Sequence, residues 1–201
     1  MTRHLVVFAK APRLGTAKRR LAAQIGAVEA ARFYREALRA TLARCARDER
    51  WRLWLCVAPD AATGHRAWRA AGGRATVIAQ GRGDLGARMA RPFRSLPPGP
   101  VVLIGSDIPA ITNQVLAAAF QALGTHDLVF GPARDGGFWL IGARRLRPWP
   151  RDLFRDVRWS TSHALADTRA NIGPRLSVAF VETLEDVDDS DSHRRWKEAR
   201  T

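Results

Sequence analysis

An α/β architecture built on a mostly parallel sheet follows from the way apolar runs and helical segments alternate along these 201 residues. Short continuous apolar runs, such as Leu5 to Ala9 and Val101 to Ile104, read as strands buried on both faces, as parallel strands are. Between them lie segments rich in Ala, Leu and Arg with apolar residues at helical spacing. The balance of 46% hydrophobic and 26% charged residues is that of an ordinary globular domain. A chain of this mass buries roughly 70% of its unfolded surface on folding, which supports one sizeable core. Residues 1–201 are therefore expected to form a single domain.

The first strand, Leu5 to Ala9, ends at Lys10-Ala11-Pro12 and Gly15. From about Thr16 to Arg47, Ala30, Phe33, Tyr34, Ala37, Leu38 and Leu42 recur at helical spacing, with an interruption near Gly26. Trp51 to Val57 is a second strand. Ala61 to Ala71 is a short helical or irregular crossover closed by Gly72-Gly73, and Ala75 to Ala79 a third strand. Leu85 to Phe93 reads as a helix stopped by the Pro97-Pro98-Gly99-Pro100 turn, after which Val101 to Ile104 is a buried strand. Thr112 is the N-cap of a helix over Asn113 to Leu123, and Asp127 to Phe130 is the next strand. Phe138 to Ile141 follows after a Gly-rich loop too short for a parallel crossover. This strand near 138–142 should therefore run antiparallel or sit at an edge. A loop with Pro148 and Pro150, a helix after Trp159-Ser160-Thr161, a strand over Leu176 to Val181 and a short helix after the acidic stretch Glu185 to Asp191 complete the chain.

The formal net charge of +14 points first to a polyanionic partner. The excess is spread along the chain, no basic and aromatic residues alternate, and no zinc-finger or RNA-recognition signature is present, so no nucleic-acid partner is expected. The basic residues are almost all arginine; only Lys10, Lys18 and Lys197 are lysine, and two of these fall in one short segment. A compact ammonium is a point-charge phosphate binder, whereas arginine is a planar fork. Cys45 and Cys56 fit no metal spacing and read as reduced, half-buried residues of a cytoplasmic protein. No apolar run approaches the roughly 18 residues of a membrane span. His4, His65, His126, His163 and His193 have no metal-ligand spacing and are expected to be surface or structural residues.

In open α/β sheets ligands bind beyond the carboxyl ends of the strands, which directs attention to the loops there. The first, Phe8 to Leu21, joins a buried strand to a helix. Gly15 permits close backbone approach, and Lys10, Arg13, Lys18 and Arg19 supply charge for phosphates. It has neither a Walker A ending nor a dinucleotide G-x-G-x-x-G, and a solvated basic turn is the alternative. In Gly105-Ser106-Asp107-Ile108-Pro109 a carboxylate sits just past a central strand, placed for a divalent cation that bridges phosphates or simply for a solvated turn. Arg134-Asp135-Gly136-Gly137-Phe138-Trp139 suits either a hairpin or close packing against a sugar or base. Asp186, Asp188, Asp189 and Asp191 precede a helix they could cap, and Arg88 follows the flexible Gly81-Arg82-Gly83 loop.

Together these segments resemble, in order and over nearly the whole chain, a family of small bacterial GT-A-fold proteins long carried as a domain of unknown function. Its members are labelled nucleotide-diphospho-sugar transferases, and some arsenosugar-biosynthesis glycosyltransferases or radical-SAM/selenodomain-associated transferases. The family motifs F-A-K-x-P-x-x-G-x-x-K-T-R-L, Q-G-x-G-D-L-G-x-R-M, G-S-D-x-P-x-L-T, G-P-x-x-D-G-G-Y-x-L-I-G, W-S-T and D-x-D correspond to Phe8 to Leu21, Gln80 to Met89, Gly105 to Thr112, Gly131 to Gly142, Trp159 to Thr161 and Asp186 to Asp188. The chain is similar, more distantly, to the nucleotidyltransferases of molybdenum-cofactor and deazaflavin-cofactor assembly. The resemblance implies a single-domain GT-A sandwich. It implies that Lys10, Arg13, Gly15 and Lys18 hold nucleotide phosphates, that Gln80, Leu85 and Arg88 lie near the base or ribose, and that Pro12 and Ser106 also belong to the nucleotide site. Asp107 and Asp188 would bind Mg²⁺ or Mn²⁺, and Asp107, Asp135 and Lys18 would be catalytic. Asp135, Gly136, Gly137, Phe138, Trp159, Ser160 and Thr161 would meet the acceptor. Arg19 stands where the family usually has Thr, Ile108 replaces a frequent Cys, and Phe138-Trp139 replaces a Tyr-rich pair, which bears on acceptor specificity.

Two mechanisms fit this scaffold. In one, a small-molecule acceptor hydroxyl attacks the sugar carbon of a nucleotide-diphospho-sugar, with Asp135 as general base. In the other, an acceptor phosphate attacks the α-phosphate of a nucleoside triphosphate, with Lys10 and Lys18 stabilising the transferring group and pyrophosphate. A nucleotide-binding protein without catalysis is the third possibility.

Overall fold

The computed structural model describes residues 1–199. Seven strands form one sheet: β1 (His4–Lys10), β2 (Arg52–Ala58), β3 (Ala75–Ala79), β4 (Val101–Gly105), β5 (Leu128–Pro132), β6 (Phe138–Ala143) and β7 (Val178–Phe180). Their spatial order is β3-β2-β1-β4-β6-β5-β7. The helices are α1 (Arg19–Ile25), α2 (Ala27–Ala46), α3 (Leu85–Ser95), α4 (Asn113–Ala122), α5 (Ala164–Ala170) and α6 (Ser190–Glu198), with two short 3₁₀ turns between β2 and β3.

The α/β reading holds, with β6 as the strand that runs against the rest. It pairs antiparallel with both β4 and β5, because five residues cannot carry the chain back for a parallel return. It is an interior strand, and the edges of the sheet are β3 and β7. All other pairings are parallel. The break near Gly26 separates α1 from α2 at a backbone φ of 87°, which glycine adopts readily. Thr112 caps α4 by accepting the Val115 amide at 3.2 Å. Helix α3 runs two residues further than Phe93, through Pro92, whose ring removes one helical donor without ending the helix.

Both faces of the sheet are covered. Leu5, Val7, Leu55, Ile104 and Leu140 pack against Tyr34, Leu38 and Leu42 of α2 and Leu116 and Phe120 of α4. Val6, Trp54, Leu103, Phe130 and Ile141 face Met89 and Phe93 of α3. This two-sided burial is why the strands read as continuous apolar runs. No described helix is long and apolar enough to cross a membrane.

Both cysteines are free and fully buried, not half-buried, because each sits in a layer sealed by its neighbours. Burial pushes both thiols up to about 12. At pH 8 neither should react with a chromogenic disulfide reagent in the native protein, and both should react at once in denaturant. Stoichiometric labelling of the native chain would contradict the packing around β2 and α2.

Candidate active site

In the sheet, β1 continues to β2 and β3 on one side and meets β4 on the other, so the crevice at their carboxyl ends is a topological switch point. A cleft of about 480 Å³ opens there. Lys10, Thr16, Lys18, Arg19 and Arg20 line it from the loop after β1 and the start of α1. Asp107 and Ile108 come from the end of β4. The β5–β6 connection brings Asp135, Gly137 and Phe138, and Trp159, Ser160 and Thr161 close the far wall. A larger groove of about 920 Å³ runs along α2 and α6 and is bordered by Pro109 and Ala110 after β4 and by Glu185 and Val187.

At the centre of the cleft is one ammonium among three carboxylates. Lys18 Nζ is 2.6 Å from Asp188 Oδ1, 2.7 Å from Asp107 Oδ2 and 3.9 Å from Asp186 Oδ2. The Lys18 side chain is 3% exposed. Asp107 reaches the cluster as the residue after β4 bends away. The Asp186-Val187-Asp188 stretch delivers the other two by alternation, because Val187 is buried with Leu21 and Phe33 while its two neighbours turn to the other side. The end of this stretch is fixed by a capping box in which Asp189 and Ser192 bond each other's backbone amides. Gln24 holds it from α1 by accepting the Ser190 amide at 2.7 Å.

The electrostatics follow from this crowding. Burial alone would lower the Lys18 pKa, but Asp107 and Asp188 outweigh it and hold the ammonium well above its usual range. Burial, and then the charge of Asp188, push Asp186 up to about 7. Asp188 is half-buried and so partly desolvated, yet the Lys18 charge and hydrogen bond keep it below the usual carboxylate range.

The structure brings Lys10, Lys18, Leu85, Asp107, Asp135, Gly137, Phe138, Trp159, Ser160, Thr161 and Asp188 to this one cleft. Pro12, Arg13, Gly15, Gln80, Arg88, Ser106 and Gly136 are not among its lining residues. Pro12 lies in a separate depression with Arg35, Arg39, Arg66 and Arg69. Gln80 is buried and donates to the carbonyls of Ala9 and Cys56, while its Oε1 accepts from Arg88. It thereby ties the ends of β1 and β2 together behind the cleft. Ser106 is buried against the Tyr34 hydroxyl, which itself donates to the Lys10 carbonyl and accepts the Lys10 amide, each at 2.9 Å. Sequence reasoning did not pick out Asp186 as part of the cluster, Tyr34 as the support of Lys10, or Thr16, Arg20 and Met89 as cleft residues. The Asp-x-Asp alternation was a signal for the first; Tyr34 reads only as a core residue of α2.

Asp135 Oδ1 accepts the Gly137 amide at 2.8 Å. Between them Gly136 has φ +85°, and a Cβ there would lie 2.2 Å from the Ser162 carbonyl oxygen. Its own carbonyl accepts the Leu165 amide. Gly136→Ala should therefore cost about 1–3 kcal/mol through backbone strain, plus the displacement of the Ser162 segment. Urea denaturation should show a larger loss than for Gly137→Ala, whose Cβ would approach only the Asp135 side chain at 3.0 Å. The aromatic wall is continuous: Phe138 meets Trp159 edge-on with centroids 6.2 Å apart, and Trp159 meets Phe154 at 5.6 Å.

Three carboxylates converging on one cation form an all-oxygen donor set of the kind that suits Mg²⁺ or Mn²⁺. As the side chains stand, no group of three or more His, Cys, Asp or Glu among the described residues is placed to hold a metal ion, and the Lys18 ammonium occupies the point where Asp107 and Asp188 converge. In chemistry, though not in their present arrangement, the donors suit a divalent cation.

Residues 41–161 match the profile of a family described as an uncharacterized protein conserved in bacteria, DUF2064. The chain belongs to that family. A solved structure, that of a proposed nucleotide-diphospho-sugar transferase from Desulfovibrio desulfuricans, is 32% identical with a TM-score of 0.83, over 94% of this chain and 84% of that one. The match secures the GT-A-like nucleotide-sugar transferase fold. A 4-diphosphocytidyl-2C-methyl-D-erythritol synthase from Anaerococcus prevotii has a TM-score of 0.65 at 9% identity, over 99% of this chain and 98% of that one. A glucosyl-3-phosphoglycerate synthase from Mycobacterium tuberculosis, solved with Mn²⁺ and uridine diphosphate, has a TM-score of 0.55 at 14% identity, over 92% of this chain and 70% of that one. At such identities these two share the fold with this DUF2064 chain. No relative is found among curated proteins.

Proposed function

We propose that this chain is a transferase that moves a glycosyl group from a nucleotide-diphospho-sugar to a small-molecule acceptor. The observation that carries the reading is the position of the carboxylate cluster, at the switch point between a cationic loop and an aromatic wall. The 32% identical relative, itself a proposed nucleotide-diphospho-sugar transferase, supports it.

The residues divide the work by chemistry. Lys10, Arg19 and Arg20 place positive charge along the mouth of the cleft, where a diphosphate would lie. Phe138 and Trp159 offer the apolar surface on which the carbon face of a sugar or acceptor packs. Asp107 and Asp188, with Asp186 beside them, would hold Mg²⁺ or Mn²⁺, which supplies Lewis-acid neutralisation of diphosphate charge when bound. Asp135 has one oxygen fixed by the Gly137 amide, leaving the other to take the acceptor hydroxyl proton. The acceptor oxygen then bonds to the sugar carbon as the carbon–oxygen bond to phosphate breaks, and its electron pair leaves with the nucleoside diphosphate.

A second reading, nucleotidyl transfer from a nucleoside triphosphate to a phosphorylated acceptor with release of pyrophosphate, is favoured by the crowding of Lys10, Arg19 and Arg20 around one mouth. That charge suits a triphosphate as well as a diphosphate. A thermal-shift panel of nucleoside diphosphates, nucleotide sugars and nucleoside triphosphates, each with Mn²⁺, Mg²⁺ or chelator, separates the two. A metal-dependent shift that is larger for one nucleotide sugar than for its triphosphate supports glycosyl transfer. The reverse order supports nucleotidyl transfer, and no shift with any ligand removes both.

A further inference from the structure

Lys18 ends the cationic loop after β1, yet its ammonium is engaged by the carboxylates of Asp107 and Asp188. We propose that Lys18 is the resident counter-ion of the Asp107, Asp186 and Asp188 cluster and that it and a divalent cation exclude one another there. The cation then enters together with the donor phosphates, which draw the ammonium out, and not before them. The inference deepens the metal-dependent reading of the cleft and rests on it.

Four observations carry it. First, the oxygens that an ion would need are already in use: Asp107 Oδ2 and Asp188 Oδ1 each lie within 2.7 Å of Nζ. A metal at its usual 2.0–2.2 Å from such oxygens would occupy the space of the ammonium and repel its charge. Second, Lys18 is built into this place. It is the N-cap of α1 in the left-handed region, at φ 53° and ψ 48°, a conformation that a non-glycine residue holds only when its surroundings fix it. Third, the charges are mismatched in favour of exchange, because three carboxylates face one positive charge and a divalent ion would balance them better. Fourth, the way out is short. The flexible four-carbon stem of lysine lets Nζ move several ångströms without moving the backbone, and Lys10, Arg19 and Arg20 line the same cleft where phosphates would gather. Before the donor arrives Lys18 offsets part of the cluster's charge and occupies its centre, which suppresses binding of metal alone.

Mn²⁺ titrations followed by the electron paramagnetic signal of the free ion test this on wild type, Lys18→Met and Lys18→Gln, each alone and with ADP, CDP, GDP or UDP. Both variants should bind Mn²⁺ alone at least tenfold more tightly than wild type, and wild type should gain affinity when the preferred nucleotide is present. If wild type binds Mn²⁺ with a nucleotide but neither variant gains affinity for Mn²⁺ alone, the exclusion is overturned while the metal-dependent reading stands. If no form binds Mn²⁺ under any condition, that reading falls and the proposal with it. A measurement on the unmutated chain guards against variants that fail to fold. The chain has only three lysines, so ¹⁵N-lysine spectra can follow the one ammonium sealed in a cluster. Its slowly exchanging signal should survive Mg²⁺ alone and vanish with Mg²⁺ plus the nucleotide; persistence in both would overturn the proposal.

Discussion

Asp107→Asn is expected to slow the transfer reaction by about 10²–10³-fold, the usual loss when one electrostatic stabiliser is taken from a preorganised site. Its melting temperature should stay where it is or rise. Removing one partner of a buried ion pair normally destabilises strongly, because an uncompensated charge stays behind. Here it does not, since Lys18 keeps Asp188 at 2.6 Å and Asp186 nearby. The cluster holds more negative than positive charge, so loss of one carboxylate relieves repulsion within it. A residue whose removal costs activity and spares stability is kept for function, as expected where an active site stores unfavourable interactions. Turnover with the donor chosen by the thermal-shift panel, set beside a melt followed by circular dichroism, decides the matter. A variant that melts several degrees lower with activity intact would make Asp107 a structural partner of Lys18.

The parts of this fold that depend on local pattern were legible. Val101 to Ile104 reads as a buried strand because both its faces are covered, and β6 reads as antiparallel because five residues allow no other return. Its interior position was not legible, since nothing local says that β4 and β5 will share it as a neighbour. Strand β7 is shorter than the apolar run from Leu176 suggests, because Ser177 is taken up by Asp127, which accepts from both its amide and its hydroxyl. The same limit applies in the cleft. Loop residues near strand ends could be placed from the topology rule, and Lys10, Asp107, Asp135 and Phe138 do share one cleft. That Lys18 would turn to Asp188, 170 residues away, has no local signal. Gln80 and Ser106 show the converse. A polar side chain beside a loop reads the same whether it meets a ligand or, as here, the buried backbone carbonyls and the hydroxyl that hold the loop in place.

The largest stability loss is expected from Phe130→Ala, about 3–5 kcal/mol, out of a total stability of about 5–15 kcal/mol for a typical domain. Phe130 has no exposed surface and lies on β5 between β6 and β7. Its ring meets Phe138 edge-on at 5.6 Å and Phe180 at 6.2 Å. Truncation leaves a cavity that the paired strands on either side cannot close, because their backbones are fixed by the ladder. The urea midpoint should fall with an unchanged slope. The effect should also reach the cleft, since Phe138 loses its support on one side and remains held by Trp159 on the other. The expected kinetic signature is a raised KM for the acceptor with a smaller change in kcat, as for lost positioning of one wall. Phe180 is the internal control. It touches the same ring but is 46% exposed, so Phe180→Ala removes little buried surface and should cost about 1 kcal/mol or less. Equal losses at the two positions would mean that β7 seals this end of the sheet more tightly than its exposure indicates, and that the support of Phe138 comes from the edge strand and not from Phe130.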